Sequence, residues 1–265
     1  MTSESGSDYV TRFYRDDLAA QDLIYVRVAV GESDLLIGVS AQRGLDPNEG
    51  ALVLSRLREE TAEELVRVRR GLKAYMYRYP AFRSSLVPLE VEPEAPPLVR
   101  EMADAAAKAG VGPMAAVAGA IAQAIGRFLM SRFEDVVVEN GGDVFLQSSR
   151  SRVIGIYAGR ESRLSGKLAI RLDKDRFPVG VCTSAGTVGP SLSFGSSDAT
   201  TVIAKDAALA DAAATAVGNR VVSERDIGSA IEFGSRIPGV EGIVVVKGDK
   251  FGTWGRVELV YPRPA

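Results

Sequence analysis

Short apolar runs rich in β-branched and aromatic residues at Tyr9–Tyr14, Leu23–Val30 and Leu35–Val39 read as strands. Gly31-Glu32-Ser33-Asp34 stands between the last two and predicts a hairpin connection. From Asp46-Pro47 the pattern lengthens to a helical period through ALVLSRLREETAEELVRVRRGLKAYMYRYP, with Leu52, Leu57, Leu65, Val68 and Leu72 as the spaced apolar positions. Pro80 marks its end. The stretch from Pro88 to Pro97, with four prolines and three glutamates, reads as a linker or a long crossing loop.

A helix is expected near Leu98–Ala109, then a turn at Gly110-Val111-Gly112-Pro113 and a small-residue helix over Met114–Met130. Glycine inside a helix costs about 1 kcal/mol relative to alanine, so Gly119 and Gly126 imply a close neighbour, either a protein element or a ligand. Strands follow at Val136–Glu139, Val144–Gln147, Val153–Tyr157, Leu168–Leu172, Val179–Thr183 and Ala199–Ala204. Helices over Ala207–Val217 and Asp226–Ser235 precede strands at Gly242–Lys247 and Trp254–Val260. Antiparallel hairpins with segregated helices predict an α+β fold, taken as one domain over residues 1–265.

Composition narrows the chemistry. The 265 residues are 46% hydrophobic and 25% charged, an ordinary globular balance. Thirty-two Lys+Arg against 34 Asp+Glu leave a net charge of -2, with no basic concentration to attract nucleic acid or an anionic membrane. The chain contains no histidine, which removes Ser-His-Asp and Cys-His catalysis and His-ligated zinc. Cys182 is the single cysteine, so no intramolecular disulfide forms, and it reads as a buried structural residue. The polar, acidic start MTSESGSDYV does not resemble an export signal. The apolar run Met114–Ile125, broken by Gln123, reads as a buried helix rather than a membrane span. A cytoplasmic location is the expectation.

Three segments carry candidate chemistry. In VVVENGGDVFL, two strands flank Asn140-Gly141-Gly142-Asp143, and paired glycines let the main chain approach a ligand or simply close a hairpin. Glu139 and Asp143 flank that turn and are the candidates for a general base. In GVCTSAGTVGPSLSFG, the hydroxyls and free amides around Thr183, Ser184 and Gly186 suit a phosphate, without the lysine pattern of a P-loop. In DATTVIAKDAALADAAATAVGN, Asp211 and Thr215 stand four apart on one helix face and can offer a carboxylate and a hydroxyl to one hard cation such as Mg²⁺. The alternative for Asp211 is a hydrogen bond to a backbone amide elsewhere.

GAIAQAIG (119–126), VENGGDVF (138–145), VCTSAGT (181–187) and ADAAATAVGN (210–219) resemble, in order, the blocks of the ApbE-like flavin transferase superfamily. The chain is most similar to a branch sharing GPMAAVAGAIA, ENGGD and TSSGT-like segments. The resemblance implies an α+β fold that binds FAD, with Mg²⁺ held by Asp211 and Thr215 and by a main-chain carbonyl near Ala120. It also implies that Asn140, Gly141, Gly142 and Asp143, with Thr183, Ser184 and Gly186, surround the ligand. In characterised members the metal assists transfer of FMN from FAD to a threonine of a partner protein, or hydrolysis of FAD.

Two departures stand out. The flavin transferases carry an aspartate and a lysine where this chain has Val117 and Gln123, and a histidine where it reads GPSLSFG. Three readings follow: a Mg²⁺-dependent transferase or hydrolase acting on FAD or a related nucleotide; a flavin or nucleotide binder without turnover; or a structural, partner-binding protein. An acceptor protein belongs to the first reading and a homo-oligomer interface to the third.

Overall fold

The computed structural model describes residues 22–40, 47–159, 162–186 and 195–261. The strand expected at Tyr9–Tyr14 lies outside these residues. Strand β1 (Leu23–Val30) pairs antiparallel with β2 (Ser33–Ser40), Val30 facing Ser33. The connection is therefore shorter than the sequence suggests, only Gly31-Glu32, with Gly31 at φ +57°. Ser33 and Asp34 enter the strand because their side chains have partners: Ser33 accepts from Arg69, and Asp34 Oδ1 accepts from Arg27 Nε at 2.7 Å.

Helix α1 (Pro47–Arg78) follows, and Leu57, Leu65 and Leu72 bury its contact stripe. Leu52 does not join them and is 71% exposed. Five residues before Leu57, it lies about 140° round the helix from that residue. Pro80 ends α1 and opens the short α2 (Pro80–Ser84). Residues 85–96 then cross back along α1, where Tyr75 donates to Glu92 at 2.7 Å, to reach α3 (Pro97–Ala109). Gly110, at φ +72°, closes α3 by donating to Ala106 O at 2.8 Å. Pro113–Ala116 form a 3₁₀ turn rather than the first turn of the expected helix, so α4 runs from Val117 to Met130. Together Pro113–Met130 are long and apolar enough to cross a membrane. Here α4 buries Ile121, Ile125 and Leu129 as a core helix packed on the sheet and on neighbouring helices.

Strands β3 (Val136–Asn140), β4 (Asp143–Gln147), β7 (Val179–Ser184), β8 (Ala199–Ala204), β9 (Val240–Lys247) and β10 (Lys250–Gly255) extend the first hairpin into an eight-stranded antiparallel sheet, ordered β1-β2-β3-β4-β7-β8-β9-β10. Strands β5 (Arg152–Ile156), β6 (Leu168–Leu172) and β11 (Glu258–Val260) form a second sheet, ordered β11-β6-β5. The single strand expected over Trp254–Val260 is thus two. Gly255, at φ +80°, turns the chain, and a Cβ there would overlap the Glu241 carbonyl.

Helices α5 (Ala207–Gly218) and α6 (Ile227–Ser235) join the others on one face of the large sheet. Strand alternation divides the side chains between two cores. Val136, Val138, Phe145, Cys182, Val202 and Val245 face the helices; Leu146, Val181, Ile203 and Val246 face the small sheet with Ile170 and Leu172. The order is helices, large sheet, small sheet. The large sheet is clasped to β5 by Arg152, which donates to both oxygens of Asp22 at 2.7 and 2.9 Å and lies 3.5 Å from Asp135.

Candidate functional site

The site forms where one end of the large sheet meets α4 and α5. Asn140-Gly141-Gly142-Asp143 turns β3 into β4, with φ +72° and +103° at the two glycines, so the backbone bends where a side chain would be strained. Register brings the next segment alongside: Asp143 pairs with Cys182, which places Thr183 and Ser184 beside the turn although some forty residues separate them in sequence. Across the helix-side face lies α5, capped at its start by Asp206, whose carboxylate accepts from Leu209 N at 3.1 Å.

Helix α5 is nearly all core. Ala207, Ala208, Ala210, Ala212, Ala213, Ala214 and Ala216 are fully buried, and solvent reaches it along a stripe of Asp211, Thr215 and Asn219. Spacing of four aligns these three on one face. Small residues let α4 and α5 meet at backbone distance: a Cβ on Gly119 would overlap the Ala207 carbonyl and sit 2.8 Å from Asp211 Cβ. At Gly126 a Cβ would overlap the Phe145 ring. Protein elements therefore account for both glycines.

Asp211 Oδ2 accepts from Gly119 N at 2.9 Å, and Asn140 Nδ2 donates to Ala118 O at 3.1 Å. Both side chains therefore engage the first turn of α4. Burial pushes the Asp211 carboxyl up to about 7, against the amides of Gly119 and Ala118, which pull it down. Asp143 is 7% exposed, and its carboxyl is driven well above the usual carboxylate range by burial and then by the Asp211 charge. Among the described residues, Asp143 Oδ1 has no hydrogen-bond partner. A buried oxygen without a donor, beside a second carboxylate, calls for a proton or a cation.

The remaining candidates divide between the two faces. Glu139 Oε1 accepts from Gly142 N at 2.8 Å and so closes the turn. Strand alternation directs Val136, Val138 and Asn140 to the helices but Val137 and Glu139 to the other side. Thr183 Oγ1 meets Thr201 Oγ1 at 2.9 Å, leaving its amide to reach Asp143. Gly186 N donates to Ser197 O at 2.9 Å, and Gly195 passes so close to the Gly218 carbonyl that a Cβ would overlap it. The Thr-Ser loop is thereby based at the far end of the α5 stripe. Residues 187–194, which include most of GPSLSFG, lie outside the described residues. Cys182 is fully buried, with Sγ 3.3 Å from Ala207 O and in reach of Asp143. Burial and the two aspartates push its thiol far up, as expected of a structural cysteine.

Among the described residues, no three acidic or cysteine side chains converge to hold a metal alone. An ion here would draw on Asp211 with neutral oxygens of Thr215, of the first turn of α4 near Ala120, and of a ligand. Few carboxylates supplemented by ligand phosphates is the donor set Mg²⁺ accepts. One residue with structural weight escaped the motif reading. Gln123 is fully buried and accepts from Ala207 N at 2.7 Å while donating to Glu101 at 3.0 Å. A lone amide in an apolar helix, one turn after Gly119, was the available signal.

A family model described as AbpE bacteria matches residues 15–248. A UPF0280 protein of Methanocella arvoryzae is 47% identical over 199 residues, 75% of this chain and 80% of its own length. One from Methanocaldococcus jannaschii is 44% identical over 206 residues, covering 75% and 83%. The crystal structure of the ApbE protein of Thermotoga maritima superposes with a TM-score of 0.50 at 15% identity, over 87% of this chain and 96% of that one, which is a likeness of fold. The chain belongs to the ApbE-like family, among its UPF0280 proteins.

Proposed function

We propose that the chain is a Mg²⁺-dependent transferase or hydrolase acting on FAD or a related nucleotide. The supporting observation is the Asp211–Asp143 pair: two carboxylates raised by burial, one with a partnerless oxygen, at the open stripe of an otherwise buried helix. When bound by Asp211, Thr215 and a carbonyl near Ala120, Mg²⁺ would supply charge neutralisation at a pyrophosphate. The family to which the chain belongs supports flavin as the nucleotide class.

The chain's own residues set the rest. Gly141 and Gly142 carry no Cβ and let a ligand approach the main chain, while Asn140 holds the turn to Ala118 O. Ser184 stands at the Thr-Ser loop as a neutral donor for phosphate oxygens, whereas the Gly186 amide is taken by Ser197 O and anchors the loop. Asp143 lies on the α5 side of the sheet and Glu139 on the other, so Asp143 is the nearer candidate to take a proton from an attacking hydroxyl or water once a bound cation has displaced its own.

Binding without turnover is a second reading, favoured by one observation. The position of the flavin transferases' lysine is filled by Gln123, whose amide is committed at both ends to protein partners. Isothermal titration with FAD, FMN and ADP, with and without Mg²⁺, tests both. The enzyme reading expects Mg²⁺-dependent FAD binding and release of AMP and FMN that vanishes in Asp211→Ala. Tight binding without product supports the second reading, and no binding of any nucleotide rejects both.

A further inference from the structure

Gln123 sits on α4 with no solvent exposure, surrounded on its helix by Ala120, Ala122 and Ile125. A buried amide is retained only when its donors and acceptor are satisfied. Its partners fix its orientation: Ala207 N can only donate, at 2.7 Å to Oε1, and the Glu101 carboxylate accepts from Nε2 at 3.0 Å. Glu101, on α3, is held in turn by Arg127 Nη1 at 2.7 Å. Helices α3 and α4 thus converge on the first residue of α5.

Ala207 is gripped from its other sides as well. Cys182 Sγ lies 3.3 Å from its carbonyl, and Gly119 and Gly180 each lack the Cβ that would overlap its backbone. One helical turn separates Ala207 from Asp211, about 6 Å along the axis, so the position of Ala207 sets the height at which Asp211 meets Gly119. We propose that Gln123 is a positioning residue: through Glu101 and Ala207 it fixes the axial setting of α5, and thereby the placement of Asp211 and Thr215 as ion ligands. The proposal rests on the reading of Asp211 as an ion-holding group, and gives the residue at the family's lysine position a different task.

The test is Mn²⁺ binding to the full chain with ADP present, read as free ion by electron paramagnetic resonance against a protein-free Mn²⁺–ADP blank, with thermal melting in parallel. Gln123→Met keeps the volume and removes both hydrogen bonds. The expected result is a folded protein with Mn²⁺ affinity weakened about tenfold or more, the usual effect of losing a group that orients a ligand. The double exchange Gln123→Glu with Glu101→Gln reverses the donor and acceptor between the two side chains and still offers Ala207 N an acceptor, so it restores affinity to within about threefold. A merely structural role would lower the melting temperature without this pattern. Unchanged affinity in folded Gln123→Met overturns the proposal while leaving the ion site intact. If Gln123→Met fails to fold, Glu101→Leu decides at a partly exposed position: weakened affinity at an unchanged melting temperature supports the proposal, and unchanged affinity overturns it. Absence of Mn²⁺ binding by the unaltered chain overturns the ion site and the positioning role together.

Discussion

The Asp211 carboxylate on α5 accepts the Gly119 amide of α4 at 2.9 Å, so the residue proposed to hold an ion also caps the first turn of the neighbouring helix. The two tasks separate by substitution. Asp211→Asn keeps an acceptor for Gly119 and is expected to change unfolding free energy by less than about 1 kcal/mol while abolishing Mg²⁺-dependent nucleotide binding. Asp211→Ala leaves the amide unpartnered and costs about 1–3 kcal/mol as well. Urea unfolding beside calorimetric titration distinguishes them; equal stability loss in both variants would count against the shared role.

Stability of the metal-free protein is expected to fall as pH rises from 5 to 8. Burial raises Asp211 to about 7 from an ordinary 3.8, and raises Asp143 in the same direction. The folded state therefore binds more protons than the unfolded state above pH 4, and loses that advantage as these groups ionise. Mg²⁺ replaces the protons, so its stabilising effect is expected at pH 8 and to fade towards pH 5. Thermal melts at both pH values with and without MgCl₂ check this, and Asp143→Asn is expected to flatten the profile.

Much of the fold was legible because it rests on local periodicity. The limits of β1 and β8 agree with their runs of apolar and β-branched residues, and α1 follows its helical period to Pro80. What the pattern missed depended on partners distant in sequence. Ser33 and Asp34 read as turn residues until Arg69 and Arg27 are seen beside them. Leu52 shares the composition of the stripe but not its angle, and the break at Gly255 is set by the Glu241 carbonyl.

The site was legible as motifs and illegible as geometry. Spacing put Asp211 and Thr215 on one helix face, and both lie on the partly exposed stripe between buried alanines. The pairing of Asp143 with Cys182 is a property of sheet register, which no single segment encodes. The faces of Glu139 and Thr183 follow from the same register. Gln123 was read as a missing lysine, whereas its role depends on Ala207 and Glu101, each on another helix.

Two glycine substitutions should go in opposite directions. Gly119→Ala forces a Cβ onto the Ala207 carbonyl and is expected to cost about 1–3 kcal/mol, with loss of ion affinity as α5 moves. Gly228→Ala, on the exposed side of α6, meets nothing within 4 Å and is expected to be neutral or to stabilise by up to about 1 kcal/mol. Denaturant midpoints measure both.

Arg152→Ala is expected to cost about 3 kcal/mol without altering nucleotide binding. Its side chain is 8% exposed, and its removal strips Asp22 of two hydrogen bonds and leaves the buried Asp135 without its cation. An unfolding midpoint within error of the unaltered protein would show that the clasp between the sheets is not a stabilising element.

The β3–β4 turn, the β7 end and α5 enter the chain in that order, and the first two wait for the third. During synthesis, a ribosome-bound fragment ending before Ala207 owns the loops but lacks the wall against which they work. Under the proposed function, ligand capture is therefore a late event, available as a timer of maturation: the moment a growing chain first retains nucleotide would mark the docking of α5, not the closing of the hairpins before it.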